Sequence, residues 1–105
     1  MLSISSALEI AKVQVKKLER PEFPFQIDES VTMERPYGWI FFYNTEKYFQ
    51  TKMPQYKLAG NAPLAINSST GEWKFLKGGV SFEKALVIFE EKISTGKPWA
   101  ETDWT

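Results

Sequence analysis

The sequence predicts an α+β fold, in which a four-stranded antiparallel sheet carries an N-terminal and a C-terminal helix packed on one face, in the order α-β-β-β-β-α. Apolar residues recur at helical spacing near both ends of the chain. Between them lie four short apolar runs of strand character, separated by segments rich in Gly, Pro and Asn. At 105 residues we expect a single domain over 1–105, with 97–105 as a C-terminal tail.

The first predicted helix begins with a capping box. Ser6 and Glu9 have the spacing at which a hydroxyl and a carboxylate each bind a free backbone amide of the first turn. The apolar stripe of this helix consists of Ile4, Leu8, Ala11, Val15 and Leu18. We expect the helix to end near Glu19, because Pro21 cannot continue it.

The first predicted strand spans residues 25–35, a half-buried strand with a bulge expected around Glu29 and Ser30. Its alternating apolar positions are Phe25, Ile27, Val31 and Met33. After a tight turn at 36–38, the second strand, 39–43, is apolar on both faces. Its two faces carry Trp39, Phe41 and Tyr43 on one side and Ile40 and Phe42 on the other. Such a strand belongs in the middle of a sheet.

Residues 44–56 are polar and irregular, although Tyr48 and Phe49 indicate a short helical turn that tucks two rings inward. The third and fourth strands, 64–66 and 73–76, are joined by a connection rich in Asn, Ser and Gly. This composition is typical of a hairpin, and Gly71 is placed to take the left-handed conformation.

The second predicted helix is capped by Ser81 and ended by Gly96. Its apolar face consists of Phe82, Leu86, Phe89 and Ile93. In the tail beyond it, Trp99 and Trp104 either fold back onto the body or lie exposed. Folding back is favoured, because exposed tryptophans on a free tail promote aggregation.

Composition excludes several classes of function. The chain has no Cys and no His, so it can form no disulfide, thiolate nucleophile, zinc cluster or imidazole base. Its net charge of zero does not fit a nucleic-acid binder, which normally has a basic surplus. No signal-like N-terminus or membrane-length apolar run is present. We therefore expect a cytoplasmic protein that is not an enzyme, with no cofactor and no metal, nucleic-acid or membrane partner.

Two stretches of the sequence, quoted in one letter code, carry a family resemblance: ERPYGWIFFYNTEKYF and LAGNAPLAINSSTGEWKFL, between the opening SALEIAK helix and a closing helix. This arrangement resembles the YrhB domain family, also called the immunity protein 35 family, from about Ala7 to Glu91. The segment KPWAETDWT lies outside the shared pattern. The resemblance implies a small bacterial α+β protein that binds and neutralises a cognate polymorphic toxin. It defines no catalytic residue.

A toxin-binding surface would draw on the aromatic residues, which make up 15% of the chain. The residues predicted to bind the toxin are Tyr37, Trp39, Tyr43, Gly60, Asn61 and Trp73. For Gly60 and Asn61 two interpretations remain open. They either shape a backbone turn leading into the third strand, which is favoured, or form a polar rim of the binding surface.

Two other functions compete with toxin neutralisation. The first alternative is a chaperone-like holdase, which would bind several unrelated unfolded clients. The second is small-molecule or nucleic-acid binding on the aromatic strand at 39–43, which resembles the base-stacking strands of some RNA-binding sheets. Core packing is the favoured role for that strand, because few basic residues lie near it in sequence.

Overall fold

A computed structural model describes residues 1–19, 21–58, 61–96 and 98–99. Within these ranges it forms three α-helices, six strands and two short 3₁₀ turns. The helices are α1 (Ile4–Lys16), α2 (Glu46–Thr51) and α3 (Phe82–Ile93). The strands are β1 (Phe25–Ile27), β2 (Met33–Arg35), β3 (Gly38–Phe41), β4 (Tyr43–Thr45), β5 (Leu64–Asn67) and β6 (Trp73–Phe75). The 3₁₀ turns are Glu29–Val31 and Pro54–Tyr56.

The α+β class is confirmed, but the strands form two antiparallel sheets rather than one. The larger sheet has the order β2-β3-β5-β6, and the smaller one pairs β1 with β4. The strand predicted to lie in the middle of a sheet does so, because β3 pairs with β2 on one side and β5 on the other.

The helices α1 and α3 lie on opposite faces of the larger sheet, which corrects the expectation that both pack on one face. The buried residues on the α1 side are Ala7, Ala11, Val15, Ile27, Phe41, Tyr43, Leu64 and Ile66. Those on the α3 side are Ile40, Ala65, Leu76, Ala85, Phe89 and Trp99. Side chains alternate across a strand, so a strand that is apolar on both faces needs a cover on each. We call α1, the larger sheet and α3 together the sandwich.

The two predicted strands at 25–35 and 39–43 are each divided in the structure. Ile27 pairs with Tyr43, whereas Met33 pairs with Ile40. Five residues, 28–32, therefore lie opposite two, 41–42. The bulge expected around Glu29 and Ser30 is an insertion large enough to hold a 3₁₀ turn, and it separates the smaller sheet from the larger one.

The first helix begins one turn earlier than predicted. Ser3, not Ser6, is the N-cap, and its hydroxyl accepts a hydrogen bond from the Ser6 amide at 3.1 Å. The helix ends at Lys16 instead of near Glu19. Its buried stripe runs through Ala7, Ala11 and Val15, because small side chains let the helix approach the sheet closely. The expected core residues Ile4 and Leu18 are about half exposed.

The second predicted helix and the hairpin are confirmed. Ser81 caps α3 by accepting a hydrogen bond from the Lys84 amide. Gly71 has a φ of 79° between β5 and β6. Gly38 is more tightly constrained, because a Cβ at this position would lie 1.9 Å from the backbone oxygen of Ile66 in the neighbouring strand.

The expected fold-back of Trp99 is confirmed, and Trp104 lies outside the described residues. Trp99 is 5% exposed and contacts the rings of Phe89 and Tyr37 edge-on, with centroids 5.0 and 5.6 Å away. Its backbone amide donates a hydrogen bond to a carboxylate oxygen of Glu72 at 3.0 Å.

Candidate functional site at the seam between the sheets

The region where the two sheets separate carries α2 and the following 3₁₀ turn. Thr45 anchors both elements. Its hydroxyl caps α2 by accepting a hydrogen bond from the Tyr48 amide at 3.0 Å, and donates one to the Tyr56 carbonyl at 2.6 Å. The short helix expected from Tyr48 and Phe49 is thus confirmed, with both rings half-buried. We call residues 46–57 the basic aromatic segment.

Two asparagine side chains hold the chain that leaves this segment against β4. The side-chain oxygen of Asn44 accepts hydrogen bonds from the amides of Thr45 and Leu58, each at 2.9 Å. The side-chain amide of Asn61 donates to the Tyr43 carbonyl at 2.9 Å. Asn61 therefore has a structural contact, but it is made with β4, 18 residues away in sequence, and not with the neighbouring main chain as the turn interpretation expects. Its place in a binding rim stays a prediction.

A groove of about 340 Å³ opens on one side of the basic aromatic segment. We call it the seam groove. Six residues that represent its lining are Asp28, Phe42, Tyr48, Phe49, Lys57 and Phe82. The groove contains both apolar rings and charged groups. Tyr43 and Asn61 of the predicted binding residues line it as well.

A second groove, of about 320 Å³, opens beside the same segment. Its apolar lining comes from Leu18, Phe23, Phe25, Tyr56 and Leu58. Leu18 and Phe23 are 47% and 39% exposed, so they offer apolar surface to a partner. Lys57 lines both grooves.

Three lysines of the basic aromatic segment lie over its rings. The Lys47 ammonium is 5.5 Å from the centroid of Tyr56, and that of Lys57 is 5.7 Å from the centroid of Tyr48. Lys52 contacts two rings, at 5.4 Å from Phe49 and 5.7 Å from Tyr48. An ammonium at such a distance is attracted by the negative face of the ring.

Lys52 also has an unusual backbone. Its φ of 57° and ψ of 22° place it in the left-handed region. Among the described residues, it is the only one other than glycine with a positive φ. Its amide donates to the Tyr48 carbonyl at 2.7 Å and ends α2. Glycine is the usual residue at such a position, because a Cβ is disfavoured there.

The other predicted binding residues do not share one surface with the seam groove. Tyr37 lies on the α3 side of the larger sheet, and half-buried Trp39 packs against the core on the α1 side. Trp73 is 40% exposed on β6 beside a separate depression at residues 70–74. Tyr43 is 6% exposed. Gly60 lies outside the described residues.

The polar contacts of Tyr37 tie β2 to α3. The Tyr37 hydroxyl donates to a Glu90 carboxylate oxygen at 2.8 Å, and the Arg35 guanidinium binds the same oxygen at 2.7 and 2.8 Å. Burial, followed by the hydrogen bond to Glu90, raises the pKa of Tyr37. Burial likewise raises the pKa of Tyr43. Arg35, Tyr37 and Glu90 thus connect β2 to α3.

Sequence reasoning missed Lys47, Lys52 and Lys57. A signal was present, since the three lysines recur every five residues and alternate with Tyr and Phe in EKYFQTKMPQYK. The segment has neither a helical nor a strand period over its whole length. For this reason its charge pattern was not connected with a surface.

Within the described ranges, no helix is long and apolar enough to span a membrane. In that same part of the chain, no group of three or more acidic side chains is arranged to hold a metal ion. Every buried side-chain nitrogen or oxygen described there has a hydrogen-bond partner.

A family model described as immunity protein 35 matches residues 5–105. The match includes the segment 97–105, which corrects the expectation that this tail lies outside the shared pattern. No curated protein and no solved structure matches the chain.

Proposed function

Because the chain belongs to the immunity protein 35 family, we propose that it neutralises a cognate toxin by direct protein–protein binding, without catalysis. The family match over nearly the whole chain is the observation that carries this proposal. The absence of His and Cys from the sequence supports it, because the commonest groups of acid–base and nucleophilic catalysis are missing. We place this activity in the bacterial cytoplasm. The YrhB name stays a prediction.

Neutralisation by binding requires only a complementary surface. A stable interface buries about 800 Å² on each partner and is usually centred on aromatic anchors. The two grooves beside the basic aromatic segment offer partly exposed rings and aliphatic side chains next to polar groups. This combination is typical of a protein-binding surface.

The direct test is co-expression with the toxin encoded beside the gene. We expect the native chain to restore growth and to co-purify with the toxin as a complex. Failure of both rescue and co-purification would overturn the proposal. A holdase would instead suppress the aggregation of unrelated unfolded proteins, so citrate synthase heated with the chain serves as a control that we expect to aggregate unchanged.

A further inference from the structure

We propose that the basic aromatic segment, with the groove on each side of it, is the face that binds the toxin, and that it receives an acidic segment of the toxin that also carries apolar side chains. This inference rests on the proposed function and identifies the chemistry of the partner.

The charge of the segment is the first argument. It carries Lys47, Lys52 and Lys57 against a single acid, Glu46, in a chain whose net charge is zero. No carboxylate among the described residues lies within 4.0 Å of these three ammonium groups. Arg35, by contrast, is paired with Glu90 inside the fold. The segment is thus a local positive surface whose three lysines form no ion pair with a carboxylate in the described part of the chain.

The arrangement of the lysines is the second argument. Each ammonium is held 5.4 to 5.7 Å from a ring centroid, so its position is restricted before a partner arrives. Restricting side chains in advance lowers the entropic cost of binding. Lys57 lines both grooves, so a bound carboxylate there would have apolar surface on either side.

The backbone of Lys52 is the third argument. A left-handed lysine is less stable than a glycine would be at the same position. Strained residues of this kind concentrate at functional sites. At Lys52 the strained backbone places the ammonium over two rings at the end of α2.

The observations favour a protein segment over a nucleic acid. The net charge of zero and the pI near 6.3 leave no general attraction for a phosphate backbone. The second groove is lined mainly by aliphatic and aromatic side chains, with Leu18 and Phe23 partly exposed. Apolar side chains of a protein segment would fill such a groove, whereas a phosphate chain would not.

The decisive experiment compares two triple variants in binding the co-expressed toxin. The test variant is Lys47→Gln, Lys52→Gln and Lys57→Gln. The control is Lys12→Gln, Lys17→Gln and Lys84→Gln, of which Lys12 lies 3.6 Å from a carboxylate oxygen of Glu9. Both remove three exposed positive charges. We expect the test variant to weaken the toxin Kd at least about tenfold and the control less than about threefold. Thermal melting of each variant verifies that it is folded.

The outcomes separate the two proposals. Binding of the toxin by the native chain and equally by the test variant would overturn the inference and leave the proposed function intact. Failure of the native chain both to bind the toxin and to rescue growth would overturn the proposed function, and a peptide experiment then decides the chemistry of the surface.

In the peptide experiment, a short peptide of Glu residues carrying one Phe is titrated into the ¹⁵N-labelled native chain. We expect amide shifts concentrated at residues 46–58, reduced by salt and absent with the same peptide made of Lys and Phe. Shifts elsewhere, or none, would overturn the inference. Tighter binding of single-stranded oligothymidylate at these residues would overturn it in favour of a nucleic-acid surface.

Discussion

The sandwich and the basic aromatic segment use aromatic rings and charges in opposite ways. In the sandwich, the rings of Phe41 and Phe89 are buried, and the charge of Arg35 is paired with Glu90. In the segment, rings are half-buried and hold lysine ammonium groups that no described carboxylate pairs. The difference teaches that the sandwich carries the stability of the fold, whereas the segment has charges left available to a partner.

The largest expected effect on stability comes from removing a buried ring from the sandwich, compared with removing a ring from the basic aromatic segment. Phe41 is 1% exposed on the face of the larger sheet that α1 covers, so Phe41→Ala is expected to lower the free energy of unfolding by about 3 to 5 kcal/mol. Phe49 in α2 is half-buried, so Phe49→Ala should cost only about 1 kcal/mol. Urea denaturation measures both values. Equal losses would show that the segment is as much a part of the core as the sandwich.

A backbone contact inside the sandwich gives the next largest effect. Gly38→Ala would bring a Cβ within 1.9 Å of the Ile66 backbone oxygen, so β3 and β5 must move apart. We expect a loss of about 3 kcal/mol in unfolding free energy. Gly79 is a matched control, because its φ is also positive but a Cβ there meets nothing within 4 Å.

Gly79→Ala should therefore cost only the strain of a left-handed alanine, about 1 kcal/mol. If the two alanine variants were equally stable, the close approach of the strands at Gly38 would be wrong. Gly38 lies in the stretch ERPYGWIFFYNTEKYF that carries the family resemblance, and the close approach gives this glycine a structural role, because only glycine fits where β3 meets β5.

The sequence predicted the sandwich better than the segment, for physical reasons. Burial of a helix face or a strand leaves a regular apolar pattern in the sequence. Two such patterns were confirmed: the apolar run on both faces of β3, and the helical period of Phe82, Leu86, Phe89 and Ile93. Which face each helix covers depends on how the chain crosses the sheet, and a period cannot report it. The one signal in the sequence was that β3 is apolar on both faces, which requires an element packed on each face of the sheet.

The seam was harder to predict because its geometry depends on contacts distant in sequence. The 3₁₀ turn at 29–31 interrupts the strand, but the alternation of apolar residues continues through it. One strand was therefore expected where two exist. The seam groove combines Asp28, Lys57 and Phe82, which come from three separate parts of the chain. Of the predicted binding residues, Tyr43 and Asn61 line it, and whether they contact a toxin stays a prediction.

A smaller effect concerns the tyrosine that joins β2 to α3. Burial and the hydrogen bond to Glu90 raise the pKa of Tyr37 above the value of about 10 expected in the unfolded chain. The folded state then holds its proton more tightly than the unfolded state. The stabilisation is fully present below pH of about 10 and is lost as the pH rises above it.

We expect the unfolding free energy of the native chain to fall above pH of about 10, with Tyr37 contributing less than about 1.4 kcal/mol per pH unit because it is partly exposed. Tyr37→Phe should reduce this slope, and Tyr43, whose pKa burial also raises, should preserve part of it. Denaturation curves at several alkaline pH values measure the slopes. An unchanged slope in Tyr37→Phe would contradict the burial of this tyrosine and its hydrogen bond to Glu90.

The smallest effect on stability is the sharpest test of the comparison. Lys52→Gly removes the left-handed strain, which is worth about 1 kcal/mol, while adding freedom to the unfolded chain, which costs slightly less. We therefore expect the unfolding free energy to stay the same or rise by about 0.5 kcal/mol. The same change removes an ammonium from the two rings that hold it, so the affinity for the toxin should fall. Stability is measured by urea denaturation and affinity by calorimetry with the purified toxin.

In Lys52→Gln the strained backbone is kept and only the charge is lost, so this control should bind as weakly as Lys52→Gly without any gain in stability. If Lys52→Gly lowered stability and affinity together, the lysine would be supporting the fold, and the separation of stability from recognition between the two regions would not hold.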